Sequence, residues 1–318
     1  MNIRVLIVCS GNSKPGEAFN FSLHHSFIFE QTESLRKIEI DFNFFFLKGK
    51  GITGYLKNYQ NYIKLLNSFK PDIVHAHYGL SGLFANLQRK IPVITTFHGS
   101  DVFLFKANRM MSIISHVLSK KSIVVNSKMA KILRLRNKTH IIPCGVDIKL
   151  SYPYKEEHSL CPPQLERVKT NILFSSRFDY YEKNFPLAKE VIALLGPDYN
   201  LIELKGYSRV EVNQLMNYCD VALMTSISEG SPLFIKEAMA CNCPIVSTDV
   251  GDVREIIGNT NGCYITSFDP TEIAEKVKLA VQFHKIYKYT KGRDRIIELG
   301  LDSETIARKI LEVYKSVT

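Results

Sequence analysis

The sequence predicts an α/β protein built from two doubly wound parallel sheets in tandem, and three observations lead there. At 318 residues the chain is long for one compact core and natural for two. Short apolar runs alternate with longer amphipathic ones, the pattern of strands joined by helices in a parallel sheet. The alternation breaks once, across the Pro-, Tyr-, Ser- and charge-rich Ser151–Val168, and then restarts. The expected division is a first domain at 1–150, a linker at 151–168 and a second domain at 169–302. With 45% hydrophobic and 23% charged residues the composition is globular. No run approaches the length of a membrane helix, and the opening MNIRVLIVCSGN reads as a first buried strand.

In the first half, Ile3–Cys9 is a strand, followed by a polar loop, Gly11–Phe21, with glycines at Gly11 and Gly16. Helical spacing covers Phe27–Lys37, and Asp41–Leu47 (DFNFFFL) is β-like. Gly49, Gly51 and Gly54 mark a loop before Tyr55–Phe69 returns to helical spacing. Ile73–His77 is a strand entered through Lys70-Pro71-Asp72, Leu80–Gln88 a short helix, Val93–Phe97 a strand and Ala107–Ser119 a helix. Ile123–Asn126 and Ile141–Pro143 complete the first set of strands. In the second half strands are expected at Asn171–Ser175, Asn200–Leu204, Val221–Met224, Ile245–Ser247 and Cys263–Ile265. Helices are expected at Phe185–Leu195, Val210–Tyr218, Pro232–Ala240, Val253–Ile257, Ile273–His284 and Glu304–Ser316. Two such sheets predict a cleft at the carboxyl ends of their strands, where open α/β sheets bind ligands.

Charge is unevenly placed. Residues 1–150 hold 21 Lys and Arg against 8 Asp and Glu, and residues 151–318 hold 20 against 23, so the +10 surplus belongs to the first half. Between Val102 and Val146 nine basic residues, Lys106 to Lys138 with Arg134 and Arg136 among them, occur without one acid. A solvated basic face accounts for this; so does a surface that meets anionic lipid headgroups or a lipid-diphosphate acceptor. Nucleic acid is not expected, because no nucleic-acid module accompanies the charge. Of seven scattered cysteines only Cys241 and Cys243 are close, and no second pair completes a zinc set. This pattern implies free thiols in a reducing cytoplasm.

Several strands end in polar residues. Val93–Phe97 runs into His98-Gly99-Ser100-Asp101, which is either a capped strand–helix turn or an imidazole and a carboxylate at a cleft wall. His75 and His77 point to one side of their strand, with His77 at its end, lining the acceptor side or serving as a structural histidine. The loop SGNSKPG lacks G-x-G-x-x-G, although Gly11 and Gly16 would let backbone N–H groups approach a phosphate or sugar. In the second half a strand exits as Ser175-Ser176-Arg177, followed by Lys183-Asn184. An Arg and a Lys there would stabilise the charge growing on a diphosphate leaving group. The most specific stretch is Ser228–Glu255, where Glu229 and Glu237 stand eight positions apart. Ser231 is the expected N-cap and Pro232 the expected first helical residue, so the helix N-terminus would offer free N–H groups to a phosphate or polar sugar. Glu237, about a turn and a half into that helix, can reach a different part of the same ligand, and a carboxylate suits the two hydroxyls of a ribose; the other reading is a capped amphipathic helix with solvated glutamates.

On these residues the chain resembles the retaining glycosyltransferases of family 4, which have the GT-B fold of two Rossmann-like doubly wound parallel-sheet domains facing a central cleft. The family's E-x7-E element matches Glu229 through Glu237, with Gly230, Ser231, Pro232 and Leu233 inside it. The resemblance implies that Glu229 contacts the donor sugar and Glu237 the nucleotide ribose. It implies that Arg177 and Lys183 bind the donor diphosphate, and that His98 contacts the transferred sugar. Pro143, Gly145 and Asp147 match the family's P-x-G-V-D, and the last helix, about 303–318, looks like the segment that packs back on the first domain. The tetrapeptide HAHY with Gly79 after it looks like a subgroup acting on bacterial surface polysaccharides. The catalytic set is then His98, Arg177, Lys183 and Glu229. The donor-binding set is Gly11, Arg177, Lys183, Glu229, Gly230, Ser231, Pro232, Leu233 and Glu237, and His77 and Asp101 lie on the acceptor side.

The resemblance further implies front-face transfer of a hexosyl or N-acetylhexosaminyl group with retention. A UDP- or GDP-sugar is the donor and a saccharide or lipid-linked molecule the acceptor. No cofactor is expected, and no metal, since no D-x-D spacing is present. The expected location is cytoplasmic and peripheral, at the inner face of the membrane. Two other readings stay open: a nucleotide-sugar epimerase on the same architecture, and a non-catalytic nucleotide-sugar binding protein.

Overall fold

The computed structural model describes residues 3–13, 16, 18–38, 40–103, 106–133, 138–154 and 168–318. Most of the expected linker, and Arg134 and Arg136 of the basic run, lie outside the described residues. The chain divides into two compact units, Met1–Gly145 with Ser303–Thr318, and Val146–Asp302.

The first unit carries β1 (Ile3–Ser10), β2 (Ile40–Leu47), β3 (Ile73–His77), β4 (Val93–Phe97), β5 (Lys121–Val124) and β6 (Thr139–Ile141). They form one parallel sheet in the order β2-β1-β3-β4-β5-β6. Strand residues alternate faces, so β1 feeds two cores. Val5, Ile7 and Cys9 pack with Ile306, Ile310 and Tyr314 of the Ser303–Lys315 helix. Leu6 and Val8 pack on the other side with Tyr62, Leu66 and Phe84. Both faces being covered explains the unbroken apolar runs of β1 and the full burial of β3 and β4.

The second unit carries β7 (Thr170–Phe174), β8 (Tyr199–Ile202), β9 (Val221–Met224), β10 (Ile245–Thr248) and β11 (Cys263–Thr266). These form a parallel sheet in the order β11-β10-β9-β7-β8. Ile172, Phe174 and Leu223 pack beneath the Phe185–Leu195 and Pro270–Tyr287 helices. Leu173, Ala222 and Met224 pack on the opposite face with the Arg209–Tyr218 and Leu233–Ala240 helices. In both sheets the winding reverses once: β1 lies beside β3, and β7 beside β9. Ligands of open α/β sheets sit outside the carboxyl ends of the strands at such a reversal.

Three expectations are corrected. Gly51–Leu56, read as a glycine loop, is helical, with Tyr55 buried beneath it. A helix at Gly292–Glu298 occupies a stretch with no expected element; Gly292 lies so close to Met239 that a Cβ there would approach its carbonyl to 2.7 Å. The third concerns the helix carrying Glu237. It begins at Leu233, Pro232 is its extended N-cap, and Ser231 makes no cap bond. The Ser231 hydroxyl is drawn away by a stronger partner, the buried carboxylate of Asp252.

Candidate functional site

In the second unit the polar groups gather at the β7/β9 reversal. Lys183 ends a short turn, Tyr181–Lys183, that follows β7, and Glu229 lies in the loop that follows β9. The turn is fixed from below, because the Thr225 hydroxyl donates to the Lys183 and Asn184 carbonyls at 3.0 Å each. The Ile227 N–H reaches the Glu182 carbonyl at 2.9 Å, which locks the two loops together. Lys183 Nζ then donates to Glu229 Oε1 at 2.5 Å, with both side chains partly exposed. A flexible cation and a carboxylate thus meet at the position where the topology puts a ligand.

The Glu229 loop rests on a buried polar network. The fully buried Lys236 donates to Ser231 Oγ at 2.5 Å, and Ser231 Oγ donates to Asp252 Oδ2 at 2.5 Å. Burial raises the Asp252 carboxyl, and the charge of Lys236 opposes that. Gly251 sits at φ +58 against the loop, so a Cβ there would meet the Gly230 carbonyl oxygen at 2.6 Å. The buried atoms Ser175 Oγ, Ser226 Oγ and Asp252 Oδ1 have no partner in the protein. Ser175 and Ser226 follow the ends of β7 and β9. Buried polar atoms without partners are rare, and two of these three, Ser175 Oγ and Ser226 Oγ, fall at the β7/β9 reversal.

Glu237 is buried in its helix, and Arg209 Nη1 donates to its Oε1. Arg209 opens the Arg209–Tyr218 helix, whose capping box joins Ser208 and Glu211. Arg177 is bound by Asp179 through two bonds, Nε at 2.9 Å and Nη2 at 2.8 Å, and its guanidinium lies 5.4 Å from the Tyr180 ring centre. So Lys183 and Glu229 are brought together, while Arg177 and Glu237 each have a separate ion partner.

In the first unit the β1/β3 reversal gathers histidines. Burial drives His75 and His98 down to about 3 and His77 well below the usual imidazole range, so all three are neutral at pH 7. His75 bridges Tyr314 OH and Thr96 Oγ1 at 2.7 Å each. His77 Nδ1 lies 3.1 Å from His98 Nε2, and the buried His77 Nε2 has no protein partner. Phe27 and Tyr78 flank the His98 ring. Asp101 Oδ2 accepts from the Gly79 N–H at 3.0 Å, its Oδ1 is unpartnered, and burial pushes its carboxyl up to about 8. The Gly11 N–H is committed to the Leu47 carbonyl at 2.7 Å, and a Cβ on Gly11 would meet Phe46 Cβ at 2.7 Å.

Arg209, Lys236 and Asp252 are not among the residues that the sequence singles out. The Ser208-x-x-Glu211 box is the signal that flags the helix Arg209 opens. Nothing local flags the buried Lys236–Ser231–Asp252 network.

Two units, each a parallel sheet with polar groups at its winding reversal, are the architecture of the GT-B glycosyltransferases. A solved structure of that kind, Alr3699/HepE from Anabaena, superposes with a TM-score of 0.73 at 16% identity, covering 99% of this chain and all of that one. It was solved with UDP and, in a separate crystal, with UDP-glucose. Residues 1–150 match the profile described as Glycosyltransferase Family 4, and residues 182–282 match Glycosyl transferases group 1. The chain belongs to this family of glycosyltransferases. An uncharacterized glycosyltransferase of Methanocaldococcus jannaschii is 26% identical over 291 residues, 85% of this chain and 83% of that protein. TuaC of Bacillus subtilis, named for teichuronic acid biosynthesis, is 22% identical over 281 residues, 78% of this chain and 71% of that protein.

Proposed function

We propose that this glycosyltransferase moves a hexosyl or N-acetylhexosaminyl group from a nucleotide-diphosphate sugar to a saccharide or lipid-linked acceptor in surface polysaccharide assembly. Configuration is retained, and no metal takes part. The observation that carries the reading is the Lys183–Glu229 pair at the β7/β9 reversal. Uridine is the favoured base, because HepE was crystallised with UDP and UDP-glucose. A polysaccharide role is favoured by the likeness to TuaC.

In this reading Lys183 releases part of its hold on Glu229 to meet the donor diphosphate, with Arg177 as the second cation. Glu229, with the backbone of Gly230, Ser231, Pro232 and Leu233, receives the sugar, and Glu237 receives the ribose. His98 contacts the transferred sugar, His77 and Asp101 serve the acceptor, and Gly11 borders the donor. The acceptor oxygen forms a bond to the anomeric carbon as the bond to the diphosphate breaks. The acceptor proton passes to the departing diphosphate oxygen. Charge grows on that oxygen, and pre-placed cations lower the barrier because they need no reorganisation.

The test is release of nucleotide diphosphate from a panel of donors, with and without acceptor and chelator. Lys183→Met and Arg177→Ala should each lower turnover by about 10²-fold, and Glu237→Ala should act mainly by raising the donor KM. Undiminished turnover would overturn the site assignment, and loss of activity in chelator would overturn metal independence. Conversion of the donor sugar without any acceptor would favour an epimerase.

A further inference from the structure

We infer that the outward face of the Lys106–Leu118 helix is an interfacial docking element for an anionic lipid bilayer. The helix is amphipathic in the reverse sense to a globular surface helix. Its inward side is small and polar, with Ser112 and Ser115 fully buried. That side packs so closely on the Gly79–Ala85 helix that a Cβ on Gly79 or Gly82 would lie 2.2 Å from the Ser112 or Ser115 hydroxyl. Its outward side is apolar. Met110, Ile113, Ile114 and Val117 recur at the spacing of one helical face, and Met110 and Val117 are 61% and 67% exposed. Leu87 is exposed beside them, in the turn whose Asn86 amide donates to Ser119 Oγ at 3.0 Å. Single exposed hydrophobic residues are ordinary; a row of them on one element marks an interaction surface.

Charge decides the occupant. Lys106 begins the helix and Lys120 and Lys121 follow its end. Arg89 Nη1 donates to the Leu118 carbonyl at 3.2 Å, and Lys138 Nζ donates to those of Val117 at 3.0 Å and Ser119 at 2.7 Å. From Gly79 to Val146 the single acid is Asp101, and it is buried. A second copy of the chain would set these cations against each other. RNA would meet the cations and leave the apolar row in water. An anionic leaflet satisfies both, with side chains among the acyl chains and ammonium groups at the phosphates. Among the described residues no helix is long and apolar enough to cross a membrane, so the element lies in the plane of the interface.

Flotation with phosphatidylglycerol vesicles should recover the protein, less so as salt rises, and phosphatidylcholine vesicles should not. Met110→Asp combined with Val117→Asp should reduce partitioning at least about tenfold. Both side chains are exposed, so the thermal midpoint and donor turnover should be unchanged. The chain has no tryptophan, so Val117→Trp supplies a single emitter. Its fluorescence should shift to the blue and resist an aqueous quencher on phosphatidylglycerol. Undiminished flotation of the double variant, or water-like emission from vesicle-bound Val117→Trp, would overturn the inference. So would RNA binding or dimerisation that the double variant abolishes while flotation persists.

Discussion

Glu237 is a buried carboxylate whose orientation is set by one guanidinium, that of Arg209. Removing the guanidinium leaves the carboxylate with less to oppose its desolvation. A hydrogen bond between charged groups contributes about 1.5–3 kcal/mol, and the partial exposure of Arg209 argues for the lower end. Arg209→Ala should therefore destabilise the protein by about 1.5 kcal/mol in urea unfolding. It should raise the donor KM more than it lowers kcat, because Glu237 is assigned to the ribose and not to the reacting bond. Arg209→Lys should recover part of the KM loss; a kcat-only effect would place Arg209 elsewhere in the mechanism. The glutamate spacing is legible because both residues lie in one loop–helix passage. Arg209 is not legible, because its partner lies 28 positions away and the strand order brings them together. The pairing of Arg177 with Asp179, two positions on, is open to local reading, yet a diphosphate role draws attention to the cation alone.

At the scale of elements, the Gly79–Ala85 and Lys106–Leu118 helices meet through glycines on one side and serines on the other. Helix propensity alone makes Gly→Ala favourable by up to about 1 kcal/mol. Packing opposes it, since a Cβ on Gly79 would lie 2.8 Å from the Ser112 Cα and 2.9 Å from its nitrogen. Overpacking costs about 1–3 kcal/mol, so Gly79→Ala should destabilise on balance, as measured by denaturant midpoint. Ser112→Gly should not rescue it, because the obstacle includes backbone. The same contrast explains which elements are readable in advance. β3, β4 and β9 come directly from short apolar runs bounded by turn residues. The Gly51–Leu56 helix does not, because its glycines carry a loop signal and its burial of Tyr55 is a tertiary fact. Nor does Gly292–Glu298, whose first residue is a glycine chosen by contact with Met239.

Across the whole molecule, buried titratable groups are unequally shared. In the first unit burial depresses His75 and His98 to about 3, takes His77 well down, and lowers His25, His116 and His140. Among the described residues of the second unit, His284 alone is shifted in this way. A depressed histidine contributes stability above its unfolded pKa of about 6.5, lost as pH falls, because the unfolded chain takes up a proton that the native state refuses. Asp101 acts in the opposite sense: raised to about 8, it keeps its proton in the native state, so its contribution fades as pH climbs from about 4 to about 8. Between pH 6.5 and 4 several histidines outweigh one carboxylate, and the first unit should be the acid-labile one. Hydrogen exchange at pH 5 and 7, corrected for intrinsic rates, should show β3 and β4 losing more protection than β9 and β10. Asp101→Asn should abolish the alkaline loss, so that its stability relative to wild type grows from pH 5 to pH 8. Equal loss in the two sheets on acidification would mean that water reaches the histidines at little cost. A pH-independent effect of Asp101→Asn would mean that the carboxyl is ionised in the folded protein.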